Sequence, residues 1–262
     1  MLGNFLRKTI PARFRPIGYL TNLVRARTGN RVQQGPFANM RYIDNSVGSA
    51  YLPKLLGIYE RELVPCVNAI HKLSPELIVD IGSGEGYYAV GLALHNPGSR
   101  VIAFEMNSVG QQATLQMAEL NSVEQRIVVR GKCELADLAS ALEEVSQPVV
   151  VCDVEGYEDQ LLNPECLPTL RKAHILVELH EFLIPGITDK LKHRFSSSHR
   201  IEHIWQQARC RSEFPWRTFG TFLLPRSYLD WAVSEWRPEK MSWLWMVPKP
   251  GPEHLSSIPA QR

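Results

Sequence analysis

The 262-residue sequence contains no run of about 18 apolar residues, the length a helix needs to cross a bilayer. Pro11 and Pro16 interrupt any secretory-type apolar stretch near its start, and no cleavage site follows the Arg-rich opening as an organelle transit peptide would require. A cytoplasmic location is the expectation. Cysteine is scarce and unpaired in pattern. Cys66, Cys133, Cys152, Cys166 and Cys210 are odd in number, scattered and without a C-x-x-C pair, which argues against a disulfide framework or a zinc site. There is no internal repeat. With 44% apolar and 21% charged residues, the chain also lacks the composition of a disordered protein, and one α/β core is expected.

Acidic residues are missing from the first 43 positions, which hold eight basic ones, among them Arg7, Lys8, Arg13, Arg15, Arg25 and Arg27. With an overall net charge of +2, the remainder of the chain carries about −6. Apolar Phe5, Leu6, Ile10, Phe14, Ile17 and Leu20 are interspersed among these charges. Residues 1–34 are therefore read as a basic arm, either solvated or lying on an anionic membrane surface or a phosphate-bearing substrate.

What is present is a glycine-rich turn between an apolar run and a helical stretch: Leu77-Ile78-Val79-Asp80-Ile81-Gly82-Ser83-Gly84-Glu85-Gly86-Tyr87-Tyr88. Glycines there let a ligand approach the backbone and aim a helix N-terminus at it. The spacing is G-x-G-x-G, and not the G-x-G-x-x-G of a dinucleotide site. Asp80 and Glu85 would repel a pyrophosphate. Carboxylates here suit S-adenosylmethionine, which carries an ammonium and a sulfonium. Arg100 to Glu105 reads as the next strand, ending in an acid able to accept two ribose hydroxyls.

At these residues the chain resembles the class I methyltransferases. The resemblance implies that Gly82, Ser83, Gly84 and Gly86 form the loop under the methionine moiety, with Glu105 on the ribose and Met106 beside the adenine. Asp80, Tyr87, Asn107, Cys133, Glu134 and Asp153 complete the expected cofactor contacts.

Nearly continuous apolar strands at 77–81, 100–105, 127–129, 148–153 and 174–178 alternate with helical stretches, as in a parallel sheet covered on both faces. The expected fold is α/β and doubly wound, a Rossmann-like methyltransferase fold over residues 35–248. Candidates for the last two strands are 201–206 and 243–247. The resemblance implies a seven-stranded, mostly parallel sheet with an antiparallel last strand. Leu55, Leu56, Tyr59, Leu63, Val67 and Ile70 keep a helical period, with Pro65 expected to bend or divide that helix. All six tryptophans lie at or beyond Trp205; Trp216, Trp231 and Trp236 suit an acceptor pocket or a subunit interface, but most are expected to fill a core. The Pro-Gly-Ser-rich residues 249–262 read as a flexible tail.

Asp153-Val154-Glu155-Gly156-Tyr157-Glu158 and Glu178-Leu179-His180-Glu181 follow the fourth and fifth apolar strands, where the crevice of such a sheet opens. The first of these, with Gly35-Pro36-Phe37-Ala38 and Leu52-Pro53-Lys54-Leu55-Leu56-Gly57, resembles the FkbM family of methyltransferases, which largely modify hydroxyls of sugars and other natural products. The resemblance implies Asp153 and Glu178 as metal ligands or orienting groups and His180 as base or third ligand, with magnesium or another divalent cation. The alternative is that Glu178 and His180 point to opposite faces or pair locally, and that Asp153 merely holds the cofactor amine. Glu155 and Glu158 also fit as first-turn acids of a helix. Tyr59, Glu60 and Glu155 are placed toward the acceptor, although Tyr59 also fits the apolar stripe of its helix.

The expectation is an O-methyltransferase acting on a hydroxyl of a sugar, glycan precursor or related natural product. The sequence lacks the Asn/Asp-Pro-Pro-aromatic signature of base-modifying enzymes, so no nucleic-acid substrate is expected. A homo-oligomer and peripheral membrane contact through the arm stay open, as do two alternatives: an NAD-dependent oxidoreductase, and a non-catalytic, membrane-associated binding protein on the same fold.

Overall fold

A computed structural model describes residues 15–44 and 46–250. Seven strands form one sheet: β1 (Leu77–Ile81), β2 (Arg100–Phe104), β3 (Ile127–Arg130), β4 (Val149–Cys152), β5 (His174–Leu179), β6 (His199–Trp205) and β7 (Ser242–Pro248). Their order is β3-β2-β1-β4-β5-β7-β6. β1 to β5 pair in parallel, while β7 runs antiparallel between β5 and β6. This is the seven-stranded, doubly wound arrangement expected, with its last strand reversed.

The central strands β1, β4 and β5 are largely apolar because both of their faces are covered. Ile78, Val101, Ala103, Val149, Val151, Leu176 and Trp243 point to one core, and Leu77, Val79, Ile81, Val150, Ile175 and Val177 to the other. Alternation within each strand distributes one continuous run over two layers. Helices α1 (Pro16–Thr28), α2 (Tyr51–Leu56), α3 (Val64–Leu73), α4 (Tyr87–His95), α5 (Ser108–Leu120), α9 (Phe219–Leu223) and α10 (Arg226–Val233) are joined by α6 (Leu135–Leu142), α7 (Glu158–Leu161) and α8 (Ile187–Phe195). α1 to α5 and α10 send side chains to the first core, α6 to α8 to the second.

From Pro16 onward the basic segment is a helix whose Leu20 and Val24 are fully buried in the first core, so residues 16–34 belong to the packed body. Residues 1–14, the remainder of the arm, and residues 251–262 of the tail lie outside the described residues. The helix expected across Pro65 is divided earlier. Gly57 closes α2 in the left-handed region (φ 71°), Glu60 takes φ 46°, and Pro65 sits harmlessly in the first turn of α3, where no N–H is needed. Among the tryptophans, Trp243 and Trp245 are core and Trp216 and Trp231 pack against it, whereas Trp205 and Trp236 are half-exposed.

Register decides which side chains meet. Asp80 pairs with Val151, and Val151 with Leu176, so Asp80, Asp153 and Glu178 follow the same alternation toward the face carrying α3 and α4. Three strand ends thus deliver three carboxylates to one crevice, at the carboxyl edge where such sheets bind ligands.

Candidate active site

β1 ends where two successive amides share one acceptor: Gly82 N–H completes the ladder to Phe104 O of β2 at 2.8 Å, and Ser83 N–H turns back to the same oxygen at 3.0 Å. Gly82, Gly84 and Gly86 take φ of 86°, 55° and 88°, a region that L side chains rarely adopt. At Gly82 the constraint is also spatial, since a Cβ would lie 1.6 Å from the carbonyl oxygen of Asp153. Glu105 closes the other side of the loop. One carboxylate oxygen accepts Gly84 N–H at 2.8 Å and the other accepts Asn107 N–H at 2.7 Å. Asn107 in turn caps α5 by accepting Val109 N–H at 2.8 Å. The loop and the acid expected on the ribose are therefore one hydrogen-bonded unit.

Above them lies a crevice of about 310 Å³, within the range of small-molecule sites. Of the residues expected at a cofactor, Asp80, Gly82, Ser83, Gly84, Tyr87, Glu105, Met106, Asn107, Cys133 and Asp153 line it, as do Tyr59, Glu60 and Glu155 from the acceptor set. Gly86 stands behind the lining as the first residue before α4. Glu134 is a correction. It is not among the lining residues; its carboxylate caps α6 in a reciprocal pair with Asp137 and contacts Lys132 at 2.7 Å and Tyr157 Oη at 2.7 Å. The reason is local, because an acid directly before a helix satisfies the helix's own free N–H groups.

Seven carboxylates and two lysines, Lys54 and Lys132, line the crevice. Glu85, expected to face the ligand as a repelling charge, is 1% exposed and fully engaged. It accepts Lys54 Nζ at 2.5 Å, the Tyr42 hydroxyl and Val47 N–H at 3.0 Å. Burial alone would raise its carboxyl, but these partners, Lys54 foremost, hold it below the usual carboxylate range. Lys54, itself buried, lies over the rings of Tyr59 at 4.7 Å and Tyr87 at 5.1 Å. The segment Leu52–Gly57 carries part of the family resemblance, but nothing in it assigns this lysine, in an otherwise apolar helix, to the site.

Asp80 is different. It is 3% exposed, and its Oδ2 has no hydrogen-bond partner. Burial, with contributions from Asp153 and Glu105, pushes its carboxyl up to about 7. Asp153, with a side chain 43% exposed at the crevice floor, is pushed up to about 6 by its low-dielectric surroundings and by Glu60, against the opposing effect of His180. A cation placed between these groups would reverse both shifts.

Glu178 does not join His180. Its carboxylate accepts Arg237 Nη1, and Arg237 Nη2 bonds Glu60 on the opposite side of the guanidinium. Arg237 packs over Tyr59 and Trp243 with ring distances of 5.5 and 5.4 Å, and Tyr88 Oη donates to Glu60 at 2.5 Å. Glu178 lines the crevice but pairs with the part-buried Arg237 and not with His180, so it stands outside the His180 cluster expected to hold a metal; burial and Asp153 push its carboxyl well above the ordinary range despite the guanidinium. Arg237 lies some 60 residues further along the chain, and only the return of the segment before β7 brings it in.

His180 instead forms its own cluster. Nδ1 lies 2.5 Å from Glu158 Oε1, and Nε2 lies 3.6 Å from Asp153 Oδ1 and 3.5 Å from Glu155 Oε2. His180 is 2% exposed and Glu158 fully buried. Burial alone would lower the imidazole, but the Glu158 hydrogen bond and the surrounding carboxylates raise it above its ordinary value. Glu155 takes φ 49°, a strained conformation for a residue with a side chain. Among the described residues, Asp153, Glu155 and His180 offer ligand atoms within 4.8 Å of one another. Two of the three expected metal ligands converge, and Glu155 replaces Glu178. Glu158 keeps its position as a first-turn acid while orienting the imidazole.

No protein-family model matches the sequence, and no curated protein matches it. Solved structures of similar fold exist at low identity. TYW2 of P. horikoshii in complex with MeSAdo is 14% identical, with 71% of this chain and 61% of that chain covered and a TM-score of 0.41; the present chain thus spans about three fifths of that protein. A precorrin-6y C5,15-methyltransferase from Geobacter metallireducens is 10% identical over 71% of this chain and 87% of that one, with a TM-score of 0.47. The human methyltransferase 10 domain containing protein is 12% identical over 87% and 96% of the two chains, also with a TM-score of 0.47.

Proposed function

We propose that this chain transfers the methyl group of S-adenosylmethionine to a hydroxyl oxygen of a sugar, glycan precursor or related natural product. The observation that carries the reading is electrostatic. The crevice above the glycine loop has a large excess of carboxylates, one of its two lysines is neutralised by Glu85, and the buried Asp80 presents an oxygen without a partner. A cationic sulfonium and ammonium fit such a site, whereas the diphosphate of a nicotinamide cofactor would be repelled. Gly82, Ser83 and Gly84 would lie under the methionine part, Glu105 would accept from the ribose hydroxyls, and Asp80 or Asp153 would face the ammonium.

Methyl transfer to oxygen breaks the C–S bond and forms the C–O bond in line, and the hydroxyl proton must leave. His180 is suited to take it. Glu158 holds Nδ1 and directs Nε2 toward Asp153 and Glu155, which line the crevice, while the imidazole itself stands behind that lining. The same oxygens and imidazole suit a divalent cation such as magnesium or manganese, with Glu158 as the group that orients the histidine ligand. Such a cation would make an acceptor hydroxyl more acidic. Tyr59 and Glu60 border the remaining space where an acceptor would lie.

Calorimetry with S-adenosylhomocysteine tests the cofactor assignment: micromolar-range binding, abolished in Glu105→Ala, is expected, and the absence of measurable binding to the wild-type chain refutes it. NAD in a parallel thermal-shift experiment should leave the melting temperature unchanged. Retention of full turnover after EDTA treatment would reject the cation while leaving methyl transfer intact.

A further inference from the structure

Outside the residues lining the crevice, the short helix α9 presents three large apolar side chains to solvent: Phe219, Phe222 and Leu223 are 79%, 84% and 64% exposed. Their spacing of three and four places them on one face. The opposite face is anchored. Thr221 is buried, and Thr218 and Thr221 cap each other reciprocally at 2.8 and 3.2 Å. A Cβ on Gly220 would lie 2.2 Å from Tyr19 Oη, and that hydroxyl bonds Thr218 Oγ1 at 3.1 Å. The helix is therefore pinned to α1 through residues that require close approach, and its apolar edge is held outward by that packing.

The surroundings indicate what covers this edge. From Phe214 to Leu229 the chain contains no Asp or Glu, while Arg217 and Arg226 flank the helix and are exposed. Tyr19, which anchors α9, lies in the first turns of α1, the helix that follows residues 1–14. That preceding sequence holds Arg7, Lys8 and Arg13, with Phe5, Leu6, Ile10 and Phe14, and no acid. Aromatic and aliphatic side chains flanked by two exposed arginines match an anionic bilayer surface: the apolar groups enter the acyl boundary, and the guanidiniums stay at the head groups. No helix among the described residues is long and apolar enough to cross a membrane, so contact of this kind would be peripheral.

We propose that the Phe219–Leu223 helix is a membrane-docking wedge that inserts Phe219, Phe222 and Leu223 into anionic lipid surfaces. The test is co-sedimentation of the full chain with vesicles of phosphatidylcholine, with and without 30% phosphatidylserine. The wild type should bind the anionic vesicles and lose that binding in high salt. Phe219→Ser/Phe222→Ser should weaken binding at least about tenfold, given the apolar area withdrawn from the lipid, with an unchanged melting temperature. Arg217→Gln/Arg226→Gln should weaken binding to the anionic vesicles alone. Wedge variants that sediment like the wild type overturn the proposal, including the case in which only Arg7→Gln/Lys8→Gln/Arg13→Gln reduces binding. A wild type that shows no vesicle binding but is a dimer in ultracentrifugation, becoming a monomer in the Phe219→Ser/Phe222→Ser variant, assigns the face to a second copy and likewise overturns it.

Discussion

The backbone at Gly82 passes so close to Asp153 that a single added carbon would sit 1.6 Å from the Asp153 carbonyl oxygen. The cofactor loop after β1 and the acidic segment after β4 are therefore pressed together, and a change in one displaces the other. Gly82→Ala must move the chain as well as adopt a left-handed φ. It is expected to destabilise the fold by roughly 2–5 kcal/mol and to abolish S-adenosylhomocysteine binding. Urea denaturation and calorimetry on the same preparation check both effects. Near-wild-type stability would show that the loop has room the geometry denies it.

Asp80 links ligand binding to pH. Its folded-state carboxyl lies at about 7, above the ordinary 3.8, so burial favours the neutral acid. The stability it lends is complete below pH of about 4 and is lost as pH rises through about 7. Asp80→Asn removes this dependence. The unliganded variant should be more stable than the wild type at pH 8, by up to about 4 kcal/mol, and the gain should shrink at pH 5. Binding of the sulfonium donor should fall at least about tenfold, since the charge that receives it is gone. Denaturant midpoints at the two pH values, with calorimetry at pH 8, decide the matter.

The buried Lys54–Glu85 pair holds α2 against the glycine loop. Lys54→Met leaves a buried carboxylate with only neutral donors and should cost about 3–5 kcal/mol. Adding Glu85→Gln should recover a large part of that loss, because the amide oxygen can still accept the Val47 N–H at the Oε2 position while the NH2 group takes the Oε1 position and donates to the Tyr42 hydroxyl oxygen. A double-mutant cycle by chemical denaturation measures the coupling. Strict additivity would contradict the pairing.

Glu158 acts on the proton economy of His180 without lining the crevice. Glu158→Gln removes the charge beside Nδ1, so the imidazole should titrate at lower pH, and methyl transfer that depends on neutral His180 should set in at lower pH as well. The variant's maximal rate should stay within about tenfold of wild type if the amide still orients the ring. NMR titration of the His180 ring protons, set beside the pH–rate profile, tests this. A shift in the profile without one in the ring signal would point to a different base.

Much of the site was readable from local pattern. The glycine turn, the acid ending β2 and the acids after β4 each sit at a fixed distance from an apolar run, and the strand period carries them to the same edge of the sheet. Glu178 and Glu134 show where that logic stops. A strand position says that Glu178 reaches the crevice face, but not that Arg237 will meet it there. The stretch after β3 places Glu134 near the carboxyl edge, but the free N–H groups of α6 claim its carboxylate.

The sequence by itself determined the alternation of apolar strands and helices, the glycine turn after β1, and the gathering of carboxylates at the strand ends, because these follow from side-chain period and backbone freedom along a short stretch of chain. Only the tertiary structure decided which of those charges stay free. Glu85 is neutralised by Lys54, Glu178 is paired with Arg237, and His180 is oriented by Glu158, whereas Asp80 keeps an unpartnered oxygen. The reason is that a buried charge is governed by whichever opposite charge packing brings within a few ångströms, and residues as far apart as Glu60 and Arg237 become such neighbours only when the sheet is complete.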